Sequence, residues 1–145
     1  MVGRSITVAA SAEAVWAVLA AFDRISTWAT DVEHSTYLTE RTEGVGSARR
    51  VQVGRTVLVE RVTEWDPPNA LAYALEGLPP VVSGATNRWT LQPAGERTAV
   101  TLTSAVDPGS KAPGRLVAPL LARRLAKASD SMLAGLARHL QEGRR

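Results

Sequence analysis

Two predicted strands carry the polar side chains whose types and spacing could do chemistry. The segments are VEHSTYLTE, 32–40, and SARRVQV, 47–53, and the β-branched and aromatic residues of the first are typical of strands. Successive side chains of a strand point to opposite faces, so alternate positions share a face. Together, one face of each strand would present Glu33, Ser35, Tyr37, Arg49, Val51 and Val53.

A carboxylate, a phenol and a guanidinium on these faces form a candidate catalytic set, Glu33, Tyr37 and Arg49. A buried arginine is rarely found without a carboxylate partner. An arginine beside a tyrosine in an apolar pocket could polarise a carbonyl or stabilise an enolate. The structural alternative is that Glu33 and Arg49 form a salt bridge at a rim, while Tyr37 packs its ring and keeps its hydroxyl in water. The residue types leave both interpretations open.

Other kinds of site are disfavoured by the residues that the chain contains. It has no cysteine, which rules out disulfides, thiol nucleophiles and cysteine-bound metals. The two histidines, His34 and His139, are far apart in sequence and form no metal-binding motif, so we expect no metal and no cofactor. His34 and Ser35 are strand neighbours that face opposite ways, which disfavours a hydrolase triad.

Length and charge limit the classes of protein to which the chain can belong. The 145 residues predict a single domain over 1–145, large enough to bury a core without cross-links. The formal net charge is +3 and the pI is about 9.9, but many basic residues lie near the C-terminus, so we expect no dedicated nucleic-acid site. No apolar run has the length of a signal peptide or a membrane span. We therefore expect a cytoplasmic protein that is not an integral membrane protein.

The elements that would position these residues are strands followed by one long helix. The first strand, in RSITVAA, leads into a helix that Ser11 would cap and that breaks at Phe22 and Asp23, so that 12–30 forms two short helices. Turn residues separate six further strands without helical crossovers, which predicts an antiparallel sheet of about seven strands. The further strands are 32–40, 47–53, 56–65, 70–78, 84–93 and 97–106.

The last predicted element is an amphipathic helix over 114–142. Its apolar stripe would pack on the concave side of the curved sheet. The small residues in its middle either allow close packing or leave space beneath the helix. The stripe consists of Leu116, Leu120, Leu121, Leu125, Ala128, Met132, Leu136 and Leu140.

Five segments in this order resemble the START-like, birch-pollen-allergen-like (SRPBCC) superfamily, and within it the polyketide cyclase/dehydrase and lipid-transport group. The resemblance covers nearly the whole chain. It implies an α+β helix-grip fold, with a curved antiparallel sheet around a long C-terminal helix and two short helices after the first strand. It also implies a hollow between sheet and helix that holds apolar molecules. The segments are 6–28, 43–47, 62–73, 88–103 and 116–140.

The expected wall of this hollow follows from the same resemblance. It places the face of Ser35 and Tyr37 towards the hollow, and the face of Arg49 and Val51 would point there too. Tryptophans and helix residues complete the set, because aromatic rings line apolar ligand sites. The predicted ligand-binding residues are Trp28, Ser35, Tyr37, Arg49, Val51, Trp89, Leu121, Leu125 and Met132.

Three functions are compatible with such a fold, which does not decide among them. The favoured one is carriage or sequestration of a hydrophobic or amphipathic small molecule, such as a lipid or polyketide, by a protein that is not an enzyme. The second is a polyketide aromatase/cyclase in which Arg49 and Tyr37 orient carbonyls. The third is a non-enzymatic stress or growth-regulating interaction module. A monomer and a homodimer both fit, and the apolar loop 78–84 would form a lip over the cavity or a subunit contact.

Overall fold

The structure, a computed structural model, describes residues 2–78, 82–110 and 112–143. Within these ranges the elements follow the predicted order of a strand, a broken helix, further strands and a long helix. The strands are β1 (Val2–Val8), β2 (His34–Tyr37), β3 (Ala48–Val53), β4 (Thr56–Asp66), β5 (Ala70–Glu76), β6 (Gly84–Ala94) and β7 (Arg97–Asp107). The helices are α1 (Ala12–Ala20), a 3₁₀ helix (Phe22–Thr27) and α2 (Ala112–Glu142).

All the described strands belong to one antiparallel sheet, in the order β1-β7-β6-β5-β4-β3-β2. From β2 onwards each strand pairs with the next along the chain, and β1 closes the other edge against β7. A register shift between Val62 and Glu64 interrupts the ladder of β4 with β5, a feature that bends strands. The sheet curves and α2 is long and C-terminal, so the predicted α+β helix-grip fold is confirmed.

The first helix breaks where the sequence predicted. Ser11 caps α1, and its hydroxyl accepts a hydrogen bond from the backbone N–H of Ala14 at 3.1 Å. The 3₁₀ helix follows at once, and the backbone N–H of Val32 then bonds to the carbonyl of Ala29 at 3.0 Å. This turn occupies the residues before His34, so β2 begins at His34 rather than at 32, and it ends at Tyr37 rather than at 40.

Helix α2 lies against β1 and β7 and makes a very close approach at Gly135. A Cβ added at this glycine would overlap the carbonyl oxygen of Trp28. Leu133 and Leu136, near Gly135 in the helix, are buried. Glycine at this position therefore allows the helix to pack directly on the backbone that follows the 3₁₀ helix.

The predicted apolar stripe of α2 is wrong at its N-terminal end. Leu116 and Leu120 are 76% and 60% exposed. Ala118 and Ala122 line a groove beside the end of β7 instead. Positions two residues apart on a helix differ by about 200°. The small residues therefore face the sheet and the two leucines face outwards.

Candidate functional site

A cavity of about 460 Å³ lies between the concave face of the sheet and α2. Its wall is largely aliphatic. A depression of about 480 Å³ also lies over the ends of β5, β6 and β7, but the cavity under α2 has buried carboxylate and amide side chains in its wall. The wall residues are Ile25, Thr30, Asp31, Val32, Glu33, Val51, Val53, Gly54, Leu58, Glu60, Leu75, Asn87, Leu125, Ala128 and Met132.

Arg49 is buried, 2% exposed, and its partner is Glu60. The two residues are cross-strand neighbours on β3 and β4. Oε1 of Glu60 accepts a hydrogen bond from Nε of Arg49 at 2.8 Å and forms an ion-pair contact with Nη2 at 2.8 Å. Nη1 of Arg49 donates to the carbonyl of Phe22 at 2.7 Å, and the guanidinium lies 3.6 Å from the centroid of the Phe22 ring. The expected salt bridge or cluster of Arg49 with Glu33 is therefore wrong, since the carboxylate partner of Arg49 is Glu60.

Tyr37 is the β2 neighbour of Arg49, but its hydroxyl is used elsewhere. It donates a hydrogen bond to the carbonyl of Thr42 at 2.9 Å. Partial burial, and then the negative charge of Asp23, raise the pKa of Tyr37 above its ordinary value. Glu33 is exposed and lies in the cavity wall. The three candidate catalytic residues thus do not converge on one point.

Ser35 joins the 3₁₀ helix to β2. Its hydroxyl donates to the carbonyl of Asp23 at 2.6 Å and accepts from the backbone N–H of Ser26 at 3.1 Å. These bonds engage the hydroxyl fully in the protein. Ser35 lies outside the cavity wall and positions the helix that contributes Ile25 to it.

The remaining predicted ligand-binding residues divide into wall and core. Val51, Leu125 and Met132 line the cavity. Trp28 and Trp89 are buried in the core, with ring centroids 5.8 Å apart in an edge-to-face arrangement. Leu121 is half-buried and lies outside the wall. Of the predicted lip, residues 79–81 lie outside the described residues, and Val82 is buried.

Family membership is decided by sequence. A family model described as polyketide cyclase/dehydrase and lipid transport matches residues 2–141. The chain belongs to this family. A search of curated proteins finds no match.

Solved structures share the fold of this family member. The Zhui aromatase/cyclase from a Streptomyces species is 22% identical, with a TM-score of 0.80 over 99% of this chain and 94% of that one. A protein from Thermus thermophilus is 21% identical, with a TM-score of 0.75 over 98% of this chain and 97% of that one. The di-domain ARO/CYC protein BexL is 20% identical, with a TM-score of 0.75 over 97% of this chain and 46% of that one.

The sequence interpretation missed the two buried polar residues of the cavity wall, Glu60 and Asn87. Glu60 could have been found from the hairpin at Gly54–Arg55, which pairs Val53 with Thr56. Counting back along β3 and forward along β4 then pairs Arg49 with Glu60. Asn87 had a weaker signal, since it shares a strand face with Trp89.

Asn87 belongs to a hydrogen-bond network between the sheet and α2. Its Oδ1 accepts from the hydroxyl of Ser104 at 2.6 Å. The Ser104 and Ser129 hydroxyls lie 3.2 Å apart, and Ser129 donates to the carbonyl of Leu125 at 2.8 Å. The network links the Asn87 amide in the wall to α2, so it fixes the position of the helix relative to the sheet.

Tyr73 lies beside this network, fully buried. Its hydroxyl accepts a hydrogen bond from Nε1 of Trp89 at 3.2 Å. Burial and then the charge of Glu60 raise the pKa of Tyr73 above its ordinary value. Its ring packs edge-to-face on Phe22 with centroids 5.5 Å apart. The phenol therefore stays neutral at physiological pH.

Metal binding and membrane spanning have no support in the part of the chain that the structure describes. No group of three or more His, Asp or Glu side chains there could hold a metal ion. No described helix combines the length and hydropathy needed to cross a bilayer.

Proposed function

We propose that the protein binds a hydrophobic or amphipathic small molecule in the cavity between the sheet and α2. The observation that supports this most directly is a cavity of about 460 Å³ with a largely aliphatic wall. Small-molecule sites commonly measure roughly 300–1,000 Å³, with apolar walls and a few polar groups. Glu60 and Asn87 are the buried polar groups of this wall.

Carriage or sequestration is favoured over catalysis because the candidate catalytic donors are occupied. Each terminal and secondary nitrogen of Arg49 already has an acceptor, on Glu60 or on Phe22. The Tyr37 hydroxyl donates to Thr42. Neither Arg49 nor Tyr37 lines the described cavity wall, so a substrate carbonyl in the cavity would not meet these donors.

A polyketide aromatase/cyclase is the second candidate. Its support is the family description, which includes cyclisation and dehydration, together with a buried carboxylate in the cavity wall. A carboxylate in an apolar site can act as a general base. The interaction-module alternative has less support, because it requires side chains to fill the space beneath α2.

Native mass spectrometry of freshly purified protein, followed by organic extraction, tests the binding function. We expect a co-purified apolar molecule, or binding of a fluorescent apolar probe by the empty protein. Ala128→Phe would fill the cavity from α2 and abolish binding, whereas Ala134→Phe, on the exposed face of the same helix, would leave it intact. An empty protein that binds no probe contradicts the proposal. Turnover of a poly-β-keto thioester would favour the cyclase.

A further inference from the structure

The cavity wall carries negative charge in a protein whose formal net charge is +3. Three carboxylates line it, Asp31, Glu33 and Glu60, and no arginine, lysine or histidine is among the described wall residues. Asp31 and Glu33 are exposed and form no salt bridge within the described ranges. The charge of Glu60 is balanced by Arg49 behind it. The net charge that faces the cavity is therefore negative.

Glu60 presents a free hydrogen-bond acceptor within this wall. Its side chain is 8% exposed, and both the hydrogen bond and the ion-pair contact from Arg49 end on Oε1. Oε2 accepts no hydrogen bond from any residue that the structure describes. A carboxylate can accept about four hydrogen bonds, so Glu60 keeps unused acceptor capacity on Oε2. A ligand in the cavity could therefore donate a hydrogen bond to Oε2.

The neighbouring amide, Asn87, supplies neither a positive charge nor a strong hydrogen-bond donor to a ligand. Asn87 Oδ1 accepts from Ser104, and the Asn87 amide also hydrogen-bonds to the hydroxyl of Tyr73. The donors nearest the cavity floor are thus engaged within the protein. A carboxylate ligand would meet Asp31, Glu33 and Glu60 without a compensating positive charge in the described wall.

We propose that the cavity takes an apolar amine, with its protonated nitrogen donating to Glu60 Oε2 and its hydrocarbon portion against the aliphatic wall. This inference rests on the proposed binding function and adds the class of ligand. A hydroxyl and an ammonium can both donate to this carboxylate, but only the ammonium also brings a positive charge that the carboxylates of the wall attract. Asp31 and Glu33 attract the cation at the rim, and this attraction weakens with salt.

A matched series of ligands tests the inference, namely decylamine, decanol and decanoic acid below their micelle-forming concentrations. Their affinities are measured at neutral pH by displacement of a neutral fluorescent probe. We expect decylamine to bind at least about tenfold more tightly than decanol, because only the protonated amine is attracted by the negative charges of the wall. We expect decanoic acid to bind most weakly.

Glu60→Gln keeps the shape of the side chain and removes its charge. It should abolish the preference for the amine while the neutral probe still binds. Asp31→Asn with Glu33→Gln changes exposed positions and serves as a second test if Glu60→Gln fails to fold. This double variant should lower the affinity for the amine and the salt dependence of that affinity. Glu96→Gln, at the exposed β6–β7 hairpin, is the matched control and should change neither.

The outcomes separate this inference from the function on which it rests. Equal affinity for the three ligands, or tighter binding of the acid, overturns the amine proposal and leaves small-molecule binding in place. Retention of the full amine preference in Glu60→Gln also overturns it. Failure of every ligand and of the neutral probe to bind overturns the proposed function as well.

Discussion

Arg49 and Glu60 face each other directly across β3 and β4, with a hydrogen bond and an ion-pair contact converging on one carboxylate oxygen. Arg49 also donates to the carbonyl of Phe22. Phe22 begins the 3₁₀ helix, so one side chain connects the sheet to the broken helix. Arg49, which looked like a catalytic group in the sequence, thus connects two parts of the fold. Its partner Glu60 lines the cavity.

Removing one member of this pair should destabilise the fold strongly. Arg49→Ala leaves a buried carboxylate without its counter-charge, and we expect a loss of about 3–5 kcal/mol in the free energy of unfolding. The double variant Arg49→Met with Glu60→Leu should recover most of that loss. Urea unfolding of Arg49→Met, of Glu60→Leu and of the double variant measures the coupling.

An exposed pair across β4 and β5 is the control for this cycle. Arg61 and Glu76 are bonded at 3.1 Å, with side chains 45% and 49% exposed. Arg61→Ala should cost at most about 1 kcal/mol. Equal losses in Arg49→Ala and Arg61→Ala would show that the buried pair does not stabilise the fold. A loss of activity in Arg49→Ala alone would not identify a catalytic role.

Gly135→Ala should destabilise the protein because its new methyl group overlaps the Trp28 carbonyl oxygen. Forcing additional atoms into a close-packed contact costs about 1–3 kcal/mol. Gly143→Ala is the matched control, since a Cβ there would meet its nearest atom at an ordinary 3.5 Å. Thermal unfolding of both variants measures the difference. Equal stability of Gly135→Ala and the parent would place the helix farther from Trp28.

Tyr73 should make the fold sensitive to alkali. Its pKa in the fold is raised above 10.0, so the neutral phenol stabilises the folded state. That contribution is complete below pH 10.0 and is lost as the pH rises through the raised pKa. Urea midpoints measured from neutral pH upwards should fall more steeply in the parent than in Tyr73→Phe.

The same substitution has a separate cost at neutral pH. Tyr73→Phe removes the acceptor of the buried Trp89 Nε1–H, which we expect to cost roughly 1–3 kcal/mol. Tyr37→Phe, at a partly exposed position, should alter the alkaline slope less. An alkaline profile unchanged in Tyr73→Phe would mean that the titration of another group governs alkaline unfolding.

Two leucines of α2 that look alike in the sequence should respond very differently to truncation. Leu136 is fully buried, and Leu136→Ala should cost about 2–5 kcal/mol. Leu120 is 60% exposed, and Leu120→Ala should change stability by no more than about 0.5 kcal/mol. Denaturant unfolding measures both. A large loss in Leu120→Ala would show that this leucine is covered in solution.

Local patterns sufficed to predict most of the elements. Alternation and turn residues place the hairpins, and Ser11 with the helical spacing up to Phe22 marks α1 and its break. The boundary of β2 was wrong because the turn at Ala29 and Val32 depends on a hydrogen bond between backbone groups. A side-chain pattern carries no information about that bond.

The site was harder to predict because it depends on pairing and on helix rotation. The sequence predicted a shared face for Tyr37, Arg49 and Val51, and Tyr37 and Arg49 are register partners. The partner of Arg49 required the register of the next hairpin, which places Glu60 opposite it. The orientation of α2 depends on small residues that approach the sheet, and hydrophobicity alone favoured its leucines.

The order of strands in the sheet has a consequence for the time at which the cavity closes during folding. Strands β2 to β7 are successive hairpins, which can form as the chain leaves the ribosome. Strand β1 can pair only after β7 has been synthesised, since Val8 pairs with Thr98 and Gly3 with Thr103. Such distant pairings are slow to form. We expect the concave face to stay open until β1 pairs with β7 and α2 packs on the sheet. A ligand present during synthesis can therefore enter before α2 covers the cavity.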